Sequence, residues 1–194
     1  RDFGMWTAHF DFGVEHERYF IKNFSPRNEI FFYARPVTPR RGFELGVMAL
    51  ELVAQERPDV TINLAGWDVS GWHLPFEHRD LGGVGLDELN ELYNRCAAGL
   101  VVSMSNMSLL PLELLAAGAV PVVNDAENNR MVTDNPFIRY VNATPRELAD
   151  GLIAVLDAQP KASDFRSMQL SLKDITWEQA GRQFNSALRE AVNV

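Results

Sequence analysis

The sequence has little cysteine and no long apolar run, and both absences limit what the protein can be. Cys96 is the only cysteine, so an internal disulfide is excluded, and we expect a buried thiol at the end of a helix in a reducing cytoplasm. No stretch approaches the roughly 18 apolar residues that span a bilayer. No signal peptide is visible. Because the chain begins with Arg1 rather than Met, we expect it to be part of a longer protein.

Basic residues are also scarce. The formal net charge is −8, which disfavours binding to nucleic acid or to an anionic membrane, because both favour a basic face. An anionic small ligand is not excluded, since it responds to the local charge. The arginines are concentrated in one such place, the stretch RPVTPRRG, which contains Arg35, Arg40 and Arg41.

Several motifs of catalysis and cofactor binding are missing. There is no GxGxxG after a strand, no P-loop and no G-x-S-x-G turn. No Asp-x-Asp pair and no His/Cys/Asp cluster has the spacing of metal ligands. We therefore expect neither a cofactor nor a built-in metal site.

From residue 29 onward, short apolar runs alternate with stretches of helical spacing. Strands are predicted at residues 29–34, 60–65, 74–78, 99–103, 120–123 and 137–141. Helices are predicted at 42–56, 86–96, 111–117, 145–157, 163–172 and 176–191. Repeated alternation with uniformly apolar strands predicts an α/β, Rossmann-like fold, a parallel sheet with helices on both faces. Such sheets bind ligands at the carboxyl ends of their strands.

Residues 1–28 do not follow this alternation. They are rich in aromatic side chains among turn residues, namely Phe3, Trp6, Phe10, Phe12, Tyr19, Phe20 and Phe24. We expect this segment to pack against the domain or against a neighbouring one. The predicted organisation is an interdomain segment at 1–28, a Rossmann-like domain at 29–158 and C-terminal helices at 159–194.

The loop after the first predicted strand, residues 35–42, is here called the arginine loop. Two prolines stiffen it and a helix begins at its end. Helix N-termini carry unpaired N–H groups that suit phosphate, and arginines add charge-assisted hydrogen bonds. A solvated basic turn is the alternative. Its position at the ligand-binding edge of the sheet favours an anion site.

The loop after the fourth predicted strand leads into a short helix whose first turn contains Glu113. A glutamate in a first turn is often only a capping partner. Here it follows a strand whose end shares an edge with the arginine loop, so its carboxylate is a candidate acceptor for a sugar diol. The N–H groups around Leu109 and Leu110 are candidates for contact with a phosphate.

Two stretches of the chain resemble a known family. FFYARPVTPRRGFELGVMAL is similar to the "GR…KG" opening of the C-terminal, donor-binding domain of family 4 retaining GT-B glycosyltransferases. LDELNELYNRCAAGLVVSMSNMSLLPLELLAAGAVPVV resembles their "eeL..lY..a...v.PS..EGFGLP.LEAMA.G.PVI" pattern. The resemblance covers residues 29–158, while TWEQAGRQF resembles the final helix and DFGVEHERYF the connection between domains. The spacing before Pro-Leu-Glu is similar to that of bacterial L-rhamnosyltransferases of surface polysaccharide synthesis.

The resemblance implies roles for individual residues. Arg35 and Arg41 match the basic pair that holds the donor diphosphate and stabilises it as it leaves, and Arg40 is a candidate to share that role. Glu113 matches the second glutamate of an E-x7-E motif, and in the family this second glutamate contacts the ribose. Ser105 occupies the place of the first glutamate. Residues 81–84 match a loop that contacts the base. The predicted donor-binding set is Arg35, Arg40, Arg41, Gly66, Gly82, Gly83, Val84, Ser105, Asn106, Met107, Ser108, Leu109, Leu110 and Glu113.

The implied reaction moves a sugar from a nucleoside diphosphate sugar to an acceptor hydroxyl with retention of configuration. The nucleotide sugar is a substrate, and a saccharide or lipid-linked acceptor would be bound by an N-terminal domain that this chain lacks. The isolated domain is therefore expected to be inactive in transfer. The expected location is the cytoplasm, or the surface of the inner membrane through the full-length protein. The alternatives are a nucleotide-sugar 2-epimerase, a non-catalytic nucleotide-binding module, which the missing glutamate at Ser105 favours, and a regulatory doubly wound domain.

Overall fold

A computed structural model describes residues 6–192, so Phe3 of the predicted interdomain segment and the last two residues of the predicted C-terminal helices lie outside the described residues. The described chain contains a six-stranded, fully parallel sheet with the order β3-β2-β1-β4-β5-β6. The strands are β1 (Glu29–Tyr33), β2 (Thr61–Ala65), β3 (Arg79–Asp80), β4 (Cys96–Val101), β5 (Val120–Asn124) and β6 (Arg139–Val141). The predicted parallel α/β fold is therefore confirmed.

Helices cover both faces of this sheet. They are α1 (Phe43–Glu56), α2 (Leu86–Arg95), α3 (Leu110–Ala116), α4 (Glu127–Arg130), α5 (Pro145–Ala158), α6 (Ala162–Ser171) and α7 (Trp177–Val192). Side chains of α1 and α5 share one core with Ile30 and Phe32 of β1, while α2, α3 and α6 share the other with Phe31. Successive residues of a strand point to opposite faces, which explains why its three central positions are all apolar.

The strand order places a topological switch point between β1 and β4. From β1 the chain continues outward to β2 and β3, whereas from β4 it continues to β5 and β6 on the other side. Loops leave the carboxyl ends of these two central strands in opposite directions, and a crevice opens between them. The arginine loop follows β1, and the loop at residues 102–109, here called the β4–α3 loop, follows β4.

Four local predictions were wrong. The third strand lies at Arg79–Asp80 rather than at 74–78, where Pro75 lacks the N–H that a strand ladder needs. Cys96 begins β4 instead of ending a helix, and it is fully buried. The helical spacing of Leu86, Leu89, Leu92 and Tyr93 predicts that all four face the core, but Leu86 is 59% exposed because it begins α2 at the rim of the domain. β4 also starts earlier than predicted and ends at Val101.

Part of the N-terminal segment packs on the same face as α2. Val14 donates its N–H to the carbonyl of Ile175 (3.1 Å), and the ring of Tyr19 stacks on Tyr93 with centroids 5.9 Å apart. The segment thus crosses the domain between α2 and the start of α7. No helix within residues 6–192 is long and apolar enough to span a bilayer.

Candidate functional site

A cleft of about 430 Å³ lies at the carboxyl ends of β1 and β2, beside the start of α3. Its lining is Phe31, Tyr33, Arg35, Arg41, Ala65, Gly66, Gly83, Val84, Leu86, Leu89, Tyr93, Ser108, Leu109, Leu110 and Glu113. A larger groove of about 580 Å³ runs along Glu15–Lys22. That groove is more open and is lined mostly by exposed side chains of both charges, whereas the cleft combines an apolar wall with a few converging polar groups, as small-molecule sites do.

The arginine loop is folded tightly against the end of β4. Residues Pro39–Arg41 form a turn of 3₁₀ helix, and Gly42 follows in the left-handed conformation with φ +56°. A Cβ atom at Gly42 would lie 2.4 Å from a methyl group of Val102, so only glycine allows this approach. The N–H of Met104 donates to the carbonyl of Arg40 (2.9 Å), which joins the arginine loop to the β4–α3 loop.

The three arginines of this loop retain unused hydrogen-bonding capacity. Arg40 Nη1 donates to Ser105 Oγ (3.2 Å) and Arg41 Nη1 to the Asn106 carbonyl (3.3 Å). The Nε atoms of Arg35 and Arg41 are buried without a partner. Every ion pair found among residues 6–192 involves other arginines or Lys22.

Burial also affects the pKa of Arg41 in the arginine loop. Loss of solvent lowers the pKa of Arg41, and the neighbouring charge of Arg40 lowers it further. A guanidinium remains protonated in proteins despite such shifts. The loop therefore holds positive charge in a partly desolvated place, where an anion would relieve the repulsion between the arginines.

Glu113 faces the same cleft from the first turn of α3. Its carboxylate makes no hydrogen bond to any residue in the described range, and no side chain caps this helix. The capping interpretation is therefore not supported. Burial raises the pKa of Glu113 to about 7, Glu15 adds to this effect and Arg18 opposes it. A partly desolvated carboxylate without partners is poised to accept hydrogen bonds from a ligand.

The loop at residues 81–84 is held beside the cleft by Gly66. With φ +114°, Gly66 turns the chain at the end of β2, and a Cβ there would lie 2.2 Å from the ring of Tyr33. Its N–H donates to the carbonyl of Gly82 (2.7 Å). Gly83 and Val84 consequently line the cleft, while Gly82 supports the turn from behind.

Not all predicted site residues lie in the lining. The lining includes nine of them, namely Arg35, Arg41, Gly66, Gly83, Val84, Ser108, Leu109, Leu110 and Glu113. It does not include Arg40, Gly82, Ser105, Asn106 and Met107. Met107 is fully buried, with its sulfur 3.8 Å from the Tyr140 hydroxyl, because an apolar side chain at this point of the loop is drawn into the core.

Sequence reasoning missed the apolar wall of the cleft. Tyr33, Leu86, Leu89 and Tyr93 line it, although their apolar spacing in a strand and a helix predicts only core positions. The signal that identifies them is their position at the ligand-binding edge of the sheet. Tyr33 ends the strand before the arginine loop, and the exposed first turn of α2 faces the same edge of the sheet.

A parallel sheet with this switch point, an arginine loop after β1 and a glutamate at the start of the helix after β4 define the C-terminal, Rossmann-like domain of the GT-B fold. Residues 28–153 match the family model described as "WsaF, C-terminal domain". Because the match covers more than half of the chain, the protein belongs to that family.

A curated relative and several solved structures are similar to this chain. O-antigen biosynthesis protein RfbC from Myxococcus xanthus is 37% identical over 105 residues, which are 52% of this chain and 8% of that protein. Sucrose-phosphate synthase from Thermosynechococcus elongatus has a TM-score of 0.73 at 15% identity, over 94% of this chain and 52% of that one. S. aureus TarM, solved with UDP, has a TM-score of 0.70 at 14% identity, over 87% and 36%.

A third structure, the UDP-forming alpha,alpha-trehalose-phosphate synthase from Burkholderia vietnamiensis, has a TM-score of 0.64 at 15% identity, over 85% of this chain and 44% of that one. At these identities the likeness shows the fold. The chain spans about half or less of each of these structures, and under a tenth of the curated relative.

Proposed function

We propose that this chain is the donor-binding half of a glycosyltransferase that moves a sugar from a nucleoside diphosphate sugar to an acceptor hydroxyl, with retention of configuration. The observation that carries this proposal is the cleft, in which arginines without acidic partners face a carboxylate without donors. The pathway we propose is the assembly of a bacterial surface polysaccharide, with L-rhamnose as the transferred sugar.

The charge of the arginine loop suits a diphosphate. Arg35 and Arg41 reach the cleft, and each has a buried Nε–H without a partner. When the bond between sugar and phosphate breaks, negative charge builds on the leaving diphosphate. Positive groups placed there beforehand lower the barrier, which is the role of a metal ion in other sites. We therefore assign Arg35 and Arg41 the catalytic role.

The free backbone of the β4–α3 loop adds to this site. Among the described residues, the N–H groups of Ser108, Leu109 and Leu110 have no acceptor. All three residues line the cleft. Backbone N–H groups near a phosphate supply hydrogen bonds without the entropy cost of ordering a long side chain.

The opposite side of the cleft suits the nucleoside. The Glu113 carboxylate has both oxygens available for the two hydroxyls of a ribose. Val84, Leu86 and Leu89 offer an apolar surface to a flat base, and the volume lies within the usual range for small-molecule sites. A structure of TarM with UDP and the UDP-forming trehalose-phosphate synthase support a nucleoside diphosphate as ligand.

We propose that an upstream domain contains the site that binds the sugar acceptor. The matched structures are about twice as long as this chain or longer, and RfbC, a protein of O-antigen biosynthesis, is far longer. Helix α7 presents Trp177, Phe184 and Leu188 about half exposed, and we propose that the upstream domain packs there. It would bind a saccharide or lipid-linked acceptor, at the cytoplasmic side of the inner membrane.

A second candidate is a nucleotide-binding module without catalysis. One observation favours it: Ser105, which stands where the family has a glutamate, lies outside the cleft lining and accepts a hydrogen bond from Arg40. No carboxylate then holds the donor sugar at that position. The two candidates differ in whether the full-length protein transfers a sugar.

The test is a calorimetric titration of the 194-residue chain with UDP, dTDP, GDP, ADP and CDP and their nucleosides, each with and without a chelator. We expect one diphosphate to bind better than its nucleoside in the presence of chelator. Transfer should be undetectable with this chain and should appear with the full-length protein. Strict dependence on a divalent ion, or turnover by this chain alone, would contradict the proposed mechanism.

A further inference from the structure

The β4–α3 loop contains a strained residue. Ser108 has φ +60°, a left-handed conformation in which the Cβ of any residue but glycine crowds the backbone. Such strain persists only where the surroundings fix the chain in place. Because Ser108 lines the cleft, whatever fixes it also shapes the candidate site.

Two buried asparagines hold the start of this loop. Asn124, at the end of β5, accepts from the Ser103 N–H (2.7 Å) and donates to the Ser103 carbonyl (2.9 Å). Asn129 of α4 donates to the same carbonyl (3.1 Å) and to the Asn124 carbonyl (2.9 Å). Both side chains are almost completely inaccessible to solvent.

A third asparagine extends this contact to the middle of the loop. Asn128 Nδ2 donates to the Ser105 carbonyl (2.6 Å) and to Asn129 Oδ1 (3.1 Å). Ser105 and Asn106 are in turn the residues that accept hydrogen bonds from the arginine loop. A continuous set of contacts therefore runs from α4, through the β4–α3 loop, to the candidate phosphate-binding arginines.

The free-energy cost of burying amide groups indicates that these asparagines have a specific role. Burying an amide side chain is unfavourable unless its groups are paired. The side-chain hydrogen bonds of Asn124, Asn128 and Asn129, here called the asparagine network, end on the β4–α3 loop or on one another. A satisfied polar network of this kind rigidifies the backbone that it joins.

We propose that the asparagine network positions the donor site. It holds the β4–α3 loop in the shape in which this loop orients the arginine loop toward the ligand diphosphate. None of its members lines the cleft, so they act through the loop and are positioning residues. This inference rests on the proposed function of the cleft as a nucleoside diphosphate site.

The test uses Asn128→Ala, because Asn128 is only half-buried and its removal should leave the fold intact. The probes are the tightest-binding diphosphate among UDP, dTDP, GDP, ADP and CDP, and its nucleoside. We expect the diphosphate to bind about tenfold more weakly, the equivalent of about 1.4 kcal/mol. Nucleoside affinity should stay within about twofold, because the contacts disturbed are those of the arginines.

Asn135→Ala is the matched control. Asn135 is more deeply buried than Asn128, donates to Ser171 Oγ (2.9 Å) and accepts from the Phe137 N–H (3.0 Å), but its side chain makes no hydrogen bond to the β4–α3 loop. A general loss of stability would therefore affect Asn135→Ala at least as much as Asn128→Ala. Only the network variant should lower the affinity for the diphosphate relative to the nucleoside.

A double-mutant cycle with Ser108→Gly adds a readout that a merely structural asparagine would not change. Glycine adopts a positive φ without strain, so the loop should need less support. We expect the loss caused by Asn128→Ala to shrink from about tenfold to about threefold in this background, a coupling typical of residues that act on one element.

The outcomes separate the two claims. If the wild type binds a diphosphate and Arg41→Ala weakens it, while Asn128→Ala behaves like Asn135→Ala, the positioning role is wrong and the proposed function stands. If the wild type binds none of the diphosphates, the proposed function fails. Asn128→Leu, which keeps the branched shape of the side chain without a donor, is measured alongside and should repeat the effect of Asn128→Ala.

Discussion

Arg27 and Arg41 both have buried guanidinium atoms, yet the molecule uses them in opposite ways. Arg27 lies at the amino ends of β1 and β4, is 4% exposed and packs its guanidinium on the ring of Phe165 at 4.9 Å. Burial lowers its pKa to about 10. Its N–H groups donate to Asn23 O, Tyr93 O, Cys96 O, Ala117 O and Asn94 Oδ1.

Arg41 lies at the carboxyl edge of the same sheet and makes a single side-chain hydrogen bond, to the Asn106 carbonyl. The Nε atoms of both arginines are buried without a partner, and neither residue forms a salt bridge within residues 6–192, so the contrast lies in their other N–H groups. Burial alone therefore does not distinguish a structural arginine from a binding one. The distinguishing property is the number of hydrogen bonds that the protein itself leaves unmade.

The strongest test of this comparison is Arg27→Met. It removes a guanidinium that satisfies several buried carbonyls, and leaving such groups unpaired should lower the free energy of unfolding by about 3–5 kcal/mol. Diphosphate affinity, measured at a temperature where the variant is folded, should stay close to that of the wild type. Denaturant titration and calorimetry measure the two quantities. Lost affinity at unchanged stability would reverse the assignment.

Arg41→Ala should give the opposite result. We expect diphosphate binding to weaken by roughly 1.5–3 kcal/mol, the usual range for hydrogen bonds to charged groups. Nucleoside binding and unfolding should change little, because Arg41 contributes little to the fold. If Arg35→Ala, Arg40→Ala and Arg41→Ala all leave diphosphate affinity unchanged in calorimetry, the anion site is wrongly assigned.

Much of the ligand-binding edge of the sheet could be predicted from the sequence, because the patterns that define it lie within short stretches of the chain. Apolar runs alternating with helical spacing fix a parallel sheet, and a parallel sheet brings the loops after its strands to one edge. That reasoning brings Arg35, Arg41 and Glu113 to one cleft before any coordinates are known, and the structure has all three in its lining.

The strand and the polar residues that support the ligand-binding edge could not be predicted in this way. The two residues of β3 are too few to show a period, so only their pairing with β2 reveals the strand. Asn124 and Asn129 donate hydrogen bonds to Ser103 from 21 and 26 residues away along the chain, and a polar residue in a short loop or helix has no periodic signal. The burial of Arg27 has no signal in the sequence, because its partners are backbone carbonyls of distant segments.

The variant Glu113→Gln tests the contrast between satisfied and unsatisfied buried groups through the pH dependence of stability. Burial raises the pKa of Glu113 from 4.5 to about 7, so the folded state favours the neutral carboxyl. The resulting stabilisation is present below pH 4.5 and is lost as the pH rises through 7. At pH 8 the variant should therefore be more stable than the wild type, by about 1 kcal/mol once water in the open cleft is allowed for.

Nucleotide binding should respond to Glu113→Gln in the other direction, since an ionised carboxylate is the better acceptor for a diol. We expect affinity several-fold lower at pH 8, and a wild-type affinity that falls as the pH drops below 7. Phosphate also titrates near pH 6, but it does so equally in both proteins, so the difference between their profiles isolates Glu113. A destabilised variant with unchanged affinity would support a purely structural glutamate.

The smallest expected effect is that of Ser108→Gly, and it follows from the same contrast between satisfied and unsatisfied positions. A left-handed serine costs about 1–2 kcal/mol, which glycine relieves. Glycine also adds freedom to the unfolded chain, at a cost of about 0.5–1 kcal/mol. The balance predicts a gain in stability of about 0.5 kcal/mol.

Ser108→Ala separates the backbone from the side chain in this prediction. Alanine keeps the strain at φ +60° and removes only the hydroxyl, so it should gain no stability, whereas glycine should raise the melting temperature by about 1–2 °C for a chain of this size. Diphosphate affinity should change by no more than about twofold in the glycine variant, because an unstrained loop keeps its shape with less support from the asparagine network. Equal melting temperatures for the two variants would show that Ser108 stores no strain.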